Sequence, residues 1–342
     1  MDQEEQTVGA LGEFRLIGHL VRRLGAGRDD TVVGAGLDDT AVLRLADGRL
    51  QLATLDALVE GTHFLRDEVE PRLLGRRLAA VNLSDLAAMG GHPTHALAGL
   101  VAPLSLTVGF LSEVMEGLGH ELGRFGADLV GGNVAAGHCL MIDLALLGEV
   151  DEARLLLRSG ARPGDAVLVT GALGGAAAAR ALAAARRAGE TPAVTDVHVD
   201  AVALRLEAPT PRLAVAPLLR PHGASAAIDL SDGLASDLGH VCLQSGVGAV
   251  VYAACLPVDP DAQAVAAALG ADALPWALGG GEDYELLLTA DPARAQSLAA
   301  RVLGETGVAL TRVGEITGGS ERILVLPDGS RKPLEGGWNH FG

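Results

Sequence analysis

Aromatic residues are scarce in this 342-residue chain, and no long apolar run is present. Aromatics make up 3 % of the residues and hydrophobic residues 49 %, so the core must be aliphatic, with close backbone contacts. No apolar segment approaches the roughly 20 residues that cross a bilayer, which argues against a membrane-spanning helix. The first residues, MDQEEQ, are acidic and unlike a secretory signal.

Positive charge and cysteine are also in short supply. The 26 Lys and Arg face 43 Asp and Glu, a formal net charge of −17. We therefore expect neither nucleic acid nor an anionic membrane as a partner, and a phosphate ligand would need a divalent cation to screen the acidic residues. Cys139, Cys242 and Cys255 are far apart and form no CxxC pair, so we expect buried thiols in a reducing cytoplasm.

The stretch 71–91, PRLLGRRLAAVNLSDLAAMGG, predicts a helix that is apolar on nearly every face and therefore buried. The polar residues in its second half are Asn82, Ser84 and Asp85. A carboxylate in a core must be paired, protonated or bound to a cation. A helix cap or an ion pair from Asp85 to Arg76 or Arg77 is the structural alternative, but acidic clusters elsewhere favour a metal site.

An acidic hairpin precedes this helix. Residues 41–45 and 49–54 are predicted strands that turn at Asp47-Gly48. The carboxylates expected at its open end are Asp38, Asp39 and Asp56. Antiparallel pairing brings these like charges together, and a cation is the usual remedy. The alternative is a set of turn-forming aspartates in solvent.

Several later segments combine glycines, charges or acidic residues with the end of a strand or the start of a helix. They are the His63 loop, Gly131-Gly132-Asn133, Arg158 and Arg162 in the junction 150–164, Asp229 with Ser231 and Asp232 before a helix over 234–245, and the bend 279–284. Each also has a structural interpretation: a structural histidine, plain turns, solvated linker charges or a helix cap. Trp338, beside glycines in the tail, suits a lid over a flat ring.

Two nucleotide-binding motifs are absent. Gly171–Gly175 follows a predicted strand and precedes an Ala-rich helix, but the GxGxxG spacing and the later acidic residue of a dinucleotide site are missing. No GxxxxGK[ST] segment occurs, which excludes a P-loop. Elsewhere we expect a helix over 13–24, a polar loop over 190–200 and a helix that starts at 209–212.

The chain resembles the thiamine-monophosphate kinase family, within the aminoimidazole ribonucleotide synthetase superfamily, in the ordered segments GEFRLI, DDTAVL, LDALVEGTHF, AVNLSDLAAMGGHP, GGN, RSGARPGD, AIDLSDGLASDLGH, GGEDYEL and GGWNHF. The resemblance implies an α/β, two-domain fold. Residues 1–150 would bind ATP and magnesium and pair through a mixed sheet in a homodimer, and 151–342 would form an α/β C-terminal domain. It also implies cytoplasmic, ATP-dependent phosphorylation of thiamine monophosphate to thiamine diphosphate.

The same resemblance implies the roles of individual residues. Several magnesium ions would be bound by Asp39, Thr54, Leu55, Asp56, Asp85, Asn133, Asp229 and Asp232. The nucleotide would contact Gly132, Asn133, Arg158 and Ser231, and the thiamine phosphate would contact His63, Glu282 and Trp338. No general base is assigned, because the acceptor phosphate, with a second pKa near ~6, is largely ionised at neutral pH.

Three positions depart from the family pattern: Leu37 where the family has glycine, Leu55 where it has threonine, and Asn133 where it has aspartate. Asn133 supplies a neutral oxygen in place of a full charge, which lowers the expected metal affinity. Two other functions therefore stay open: a catalytically weakened nucleotide- and thiamine-phosphate-binding homologue, and another ATP-using synthetase of the superfamily.

Overall fold

The computed structural model describes residues 7–24 and 27–338. In this part of the chain, the first half contains one sheet in the order β1-β2-β3-β6-β4-β5, antiparallel except for the β4–β5 pair. Its strands are β1 (Thr31–Val33), β2 (Ala41–Arg44), β3 (Leu50–Val59), β4 (His92–Ala102), β5 (Asp128–Ala136) and β6 (Met141–Val150). Its helices are α1 (Val8–Leu11), α2 (Glu13–Val21), α3 (Pro71–Ala88) and α4 (Val108–Arg124).

The second half contains another sheet, in the order β13-β12-β9-β11-β7-β10-β8. Its strands are β7 (Ala166–Thr170), β8 (Ala224–Asp229), β9 (Gly248–Tyr252), β10 (Leu286–Ala290), β11 (Leu310–Thr317), β12 (Arg322–Val325) and β13 (Arg331–Pro333). Its helices are α5 (Gly175–Arg187), α6 (Asp196–Glu207), α7 (Ala216–Leu219), α8 (Leu234–Ser245), α9 (Pro260–Leu269), α10 (Leu274–Gly279) and α11 (Pro292–Thr306). Among all the described helices, none has the length and apolarity to cross a membrane.

Helix α3 is the buried axis of the molecule, as its composition predicts. Pro71 occupies the first turn, where its missing N–H costs nothing, and the Glu70 carboxylate accepts hydrogen bonds from the next two amides. Gly90, in the left-handed conformation, ends it. At Gly75 an added Cβ would lie 1.9 Å from the Val114 carbonyl oxygen, so α3 and α4 cross with their backbones in contact. One face of α3 therefore packs on the first sheet and on α4, while its C-terminal half reaches β8.

Strand β3 is longer than the sequence predicts. Asp56 lies inside β3 and does not follow it, because β6 pairs with β3 along its whole length, from Leu50 opposite Val150 to Val59 opposite Met141. The expected hairpin with β2 is confirmed, with Gly48 in the left-handed conformation at the turn.

Three other expectations for local structure are wrong. Helix α2 ends at Val21, three residues early. The polar loop expected over 190–200 is shorter than predicted. Helix α6 begins at Asp196, because buried Val202 packs that helix on α5 and α9. Residues 209–212 are not helical; there Arg212 pairs with buried Glu285.

The cysteine prediction is also only partly right. Cys242 is buried, as expected, and its pKa is raised to about 11 by burial. Cys139 and Cys255 are exposed: Cys139 lies in the bend between β5 and β6, and Cys255 ends a short 3-10 helix that follows β9.

Candidate active site

A cavity of about 850 Å³ is lined by residues of both halves of the chain. Acidic side chains dominate its floor: Asp38, Asp39, Asp56, Asp85, Asp229, Asp232 and Asp237 all line it. Arg158 and Arg180 line it as well. The carboxylates that the sequence scatters over some two hundred positions thus converge on one cavity.

Three of these carboxylates meet at the centre of the floor. Oxygens of Asp39, Asp85 and Asp229 lie within 4.8 Å of one another. Burial, followed by the charge of Asp56, raises the pKa of Asp85 well above its usual value. Burial and the charge of Asp39 raise the pKa of Asp229 in the same direction. Each carboxylate therefore opposes ionisation of its neighbours.

Each polar residue in the second half of α3 holds a different part of this floor. The Thr54 hydroxyl donates to the Asp85 carboxylate at 2.5 Å. Asn82 accepts a hydrogen bond from the Asp56 amide at 3.1 Å and donates to its own helix. Ser84 donates to Asp229, in the second half of the chain, at 2.7 Å. Sequence reasoning noticed Asn82 and Ser84 as polar residues in a core but assigned them no role.

The proposed structural partners of Asp85 are engaged elsewhere. Arg76 pairs with Glu121, a buried residue of α4, and Arg77 pairs with Glu282. The ion-pair alternative for Asp85 is therefore wrong. Because α3 ends at Ala88, the helix-cap alternative does not hold either: Asp85 stands in its last turn, where a negative charge is unfavourable.

Arg158 is the cation closest to the acidic floor among the described residues. Its backbone amide donates to Asp38 at 3.0 Å, and its guanidinium Nε donates to Asp39 at 3.0 Å. Burial and the charge of Asp39 still raise the pKa of Asp38 to about 7. One guanidinium does not balance so many carboxylates. Arg162, the other basic residue of the junction, does not line the cavity; its amide donates to Asp165.

The donor set fits a hard divalent cation. Asp39 Oδ2 is buried and has no hydrogen-bond partner among the described residues, an expensive state for a carboxylate oxygen. Carboxylate oxygens that are crowded together and face a cavity are the ligands magnesium prefers. Of the floor residues, Asp39, Asp85 and Asp229 have oxygens close enough together to share one such cation.

Sequence reasoning missed two members of a second acidic group. Ligand atoms of Asp232, Asp237 and His240 lie within 4.8 Å of one another. The Asp237 carboxylate accepts a hydrogen bond from the Gly233 amide at 2.9 Å and so fixes the turn that carries Asp232. Burial and the nearby Arg158 and Arg322 lower the pKa of His240 to about 4, which keeps it neutral. Spacing was the available signal: Asp237 and His240 are three residues apart on α8 and so share a face, and Asp232 lies just before the start of that helix.

The three residues expected to contact the thiamine phosphate line one part of the cavity. His63 Nδ1 accepts a hydrogen bond from the Val59 amide at 3.0 Å, which leaves Nε2 as the protonated nitrogen. The Trp338 amide donates to the Asp232 carbonyl at 2.9 Å, and its side chain is 45 % exposed. Glu282 stands between Arg77 and Arg180. The rest of the GGWNHF segment, residues 339–341, lies outside the described residues.

Other expected residues are not brought to the floor. Gly132 and Asn133 lie on β5 and do not line the cavity. Leu55 and Leu37 are among the lining residues, but their exposed hydrocarbon side chains offer no ligand atom. Ser231 lines the cavity beside Asp232, and its carbonyl accepts a hydrogen bond from the Glu282 amide at 2.7 Å.

Two models of known protein families match this chain and identify the class of protein to which it belongs. The family model for the N-terminal domain of AIR synthase related proteins matches residues 37–150, and the model for the C-terminal domain of the same proteins matches 162–326. The two sheets and the acidic cavity between them are thus those of an AIR synthase-related protein. The expected two-domain α/β fold is confirmed.

Individual relatives narrow this class. Thiamine-monophosphate kinase of Mycobacterium tuberculosis (strain ATCC 25618 / H37Rv) is 35 % identical over 99 % of this chain and 94 % of its own. The Escherichia coli (strain K12) enzyme of that name is 37 % identical, over 97 % and 99 %. A solved structure described as AaThiL complexed with AMPPCP and TMP has a TM-score of 0.85 and 30 % identity, over 98 % of this chain and 99 % of that one. The chain belongs to the thiamine-monophosphate kinase family, as its motifs predict.

Asp85→Asn tests the electrostatic role of the floor. Because the folded-state pKa of Asp85 is raised, its ionisation destabilises the folded chain progressively as pH rises above about 4, the usual range for a free carboxyl. Without metal, we expect Asp85→Asn to keep or raise the unfolding temperature at pH 8 and to flatten its fall between pH 5 and 8. Phosphoryl-transfer activity should drop at least ~10²-fold.

Asp200→Asn, which removes an exposed charge on α6, is the matched control and should change neither quantity. Thermal unfolding with and without magnesium measures the effect. If Asp85→Asn unfolds while the remaining folded fraction binds magnesium normally, Asp85 is structural and this interpretation fails.

Proposed function

We propose that this chain transfers the γ-phosphoryl group of ATP to thiamine monophosphate and releases thiamine diphosphate and ADP. The observation that carries the proposal is the single cavity that joins the carboxylate floor, Arg158 and the group formed by His63, Glu282 and Trp338. The relatives named thiamine-monophosphate kinase and the complex with AMPPCP, an ATP analogue, and TMP support it.

The reaction requires positioning and charge neutralisation more than covalent chemistry. A phosphate oxygen of thiamine monophosphate forms a bond to the γ-phosphorus as the bond from that phosphorus to the β–γ bridging oxygen breaks. ADP leaves with the electron pair. The acceptor oxygen is already ionised at neutral pH, so the chain supplies no general base.

Magnesium, when bound, would neutralise phosphate charge and orient the transferred group. We propose that Asp39, Asp56, Asp85, Asp229 and Asp232 hold several such ions, with Thr54 and the Leu55 backbone beside them. Arg158 and Ser231 contact the nucleotide. A guanidinium paired with two carboxylates is already oriented, and it offers a fixed positive charge to a phosphate. The cytoplasm is the compartment we propose, since ATP is available there and exposed thiols stay reduced.

The first test is product identity. Purified chain incubated with ATP, magnesium and thiamine monophosphate should yield thiamine diphosphate and ADP in equal amounts, measured by chromatography. Omitting magnesium should abolish both products. Release of inorganic phosphate without thiamine diphosphate would point to a different ATP-using synthetase. Binding of both ligands without turnover would support the weakened homologue that Asn133 suggests.

Trp338→Ala tests the lid. Loss of a stacking partner, worth roughly 1–3 kcal/mol for a base on an aromatic ring, should raise KM for thiamine monophosphate about 5- to 150-fold and leave KM for ATP nearly unchanged. Trp276→Phe, at the other tryptophan, which packs on the cluster of α5, α6 and α9, is the control. An equal loss of ATP affinity in Trp338→Ala would mean that the tail only packs the fold.

We also propose a homodimer through the outer face of the first sheet, the face opposite α3. In its central row Leu55, Ala145 and Leu97 pair side by side, and Leu55 and Leu97 are 61 % and 46 % exposed. Antiparallel sheets that face water on one side carry polar residues there, so an apolar outer face indicates a partner surface. A second copy also accounts for Gly132 and Asn133. They lie three strand spacings, roughly 14 Å, from Asp56 in the same chain.

Leu97→Asp tests the dimer. A buried charge at the interface should convert a sedimenting dimer to a monomer and lower activity, if Asn133 of one copy serves the cavity of the other. Leu104→Asp, at a 94 % exposed leucine outside this face, is the matched control and should stay dimeric. A wild-type chain that sediments as a monomer at micromolar concentration contradicts the proposal.

A further inference from the structure

Arg77 has no assigned role, yet it touches two of the three groups that contact thiamine phosphate in the proposed function. Its side chain, on α3, is 3 % exposed. Guanidinium Nη1 donates to the His63 carbonyl at 3.0 Å, and Nη2 donates to a carboxylate oxygen of Glu282. His63 belongs to the first half of the chain and Glu282 to the second. One buried guanidinium thus spans the two halves at the substrate end of the cavity.

Glu282 is held from its other side as well. Arg180, on α5, donates to the second carboxylate oxygen of Glu282 and to the Gly280 carbonyl. Burial alone would raise the pKa of Glu282, but Arg77 and Arg180 hold it below the usual value. Glu282 also has a φ of 62°, a left-handed conformation that costs a non-glycine residue energy and that persists only where surrounding contacts impose it.

Stability does not explain Arg77 well. A buried ion pair is often no more stabilising than apolar residues of similar volume, because desolvation offsets the attraction. Arg77 Nε is moreover buried without a hydrogen-bond partner among the described residues, which adds a further cost. Glu207, whose own pKa is raised by burial, is another carboxylate that interacts with Arg77. We therefore attribute the burial of Arg77 to the geometry that it imposes on His63 and Glu282.

We propose that Arg77 is a positioning residue for thiamine monophosphate, with Arg180 as its counterpart. Arg77 fixes the distance between the His63 loop and Glu282, and Arg180 fixes the direction of the Glu282 carboxylate. A planar guanidinium with several rigid donors performs this double contact, whereas a lysine ammonium is a point charge on a flexible stem. Neither arginine acts on the transferred phosphoryl group. The inference rests on the proposed function and adds the residues that set its substrate geometry.

The test compares Arg77→Met, which keeps the length and removes both contacts, with Arg76→Met on the same helix, whose partner is Glu121 of α4. We expect Arg77→Met to raise KM for thiamine monophosphate at least tenfold, with KM for ATP within twofold of wild type. Arg77→Lys should recover part of this loss, and Arg180→Lys should raise the same KM about threefold. Arg76→Met should change neither KM, whatever it does to the unfolding temperature.

Calorimetry of thiamine monophosphate without ATP provides a readout independent of turnover, and weaker binding to Arg77→Met is expected there too. Equal weakening of both substrates, or a lowered unfolding temperature with both KM values unchanged, would make Arg77 structural and overturn the inference. If Arg77→Met does not fold, Arg180→Lys decides, since that side chain is 31 % exposed; an unchanged KM there overturns it. A wild-type chain that makes no thiamine diphosphate instead contradicts the proposed function itself.

Discussion

Repulsion between buried carboxylates is the constraint on which this structure depends. Asp39, Asp85 and Asp229 come from three distant segments, yet folding holds their oxygens within 4.8 Å. At an effective dielectric constant of about 20, two unit charges 4 Å apart repel by on the order of 4 kcal/mol, a large fraction of the stability of a typical domain. The folded chain therefore keeps protons on these groups or accepts cations between them. Such a site lowers the stability of the folded chain. Cations held between the carboxylates would neutralise phosphate charge.

Helix α3 is the rigid support that makes this arrangement possible. One buried helix carries Arg77, Asn82, Ser84 and Asp85 toward the cavity: Arg77 contacts the His63 loop, Asn82 and Asp85 contact β3, and Ser84 contacts β8. Because the helix packs on the first sheet, on α4 and on β8, these side chains have little freedom to move. The energetic cost of a polar group in the core is offset by a hydrogen bond in each case. A helix apolar on its other faces thus fixes a polar site.

Three polar contacts between the two halves of the chain lie at the cavity. Ser84 to Asp229, Arg158 to Asp39 and Arg77 to Glu282 each cross from one half to the other. Changes in cavity charge, by protonation or by a bound ion, therefore act directly on the contacts that hold the halves together.

The sequence by itself determined several of the helices and which residue types form the site. The sequence was enough for α3 and α8, because Pro71 stands where α3 begins and Gly246, in the left-handed conformation, follows the last residue of α8. Adjacent aspartates already indicated a cation site. Tertiary structure alone decided the length of β3, which follows from pairing with β6 ninety residues later, and the roles of Asn82 and Ser84. It also separated Asn133 from the acidic floor and joined Arg77 to Glu282, since long-range packing, which no local pattern encodes, sets the distance between residues 205 positions apart.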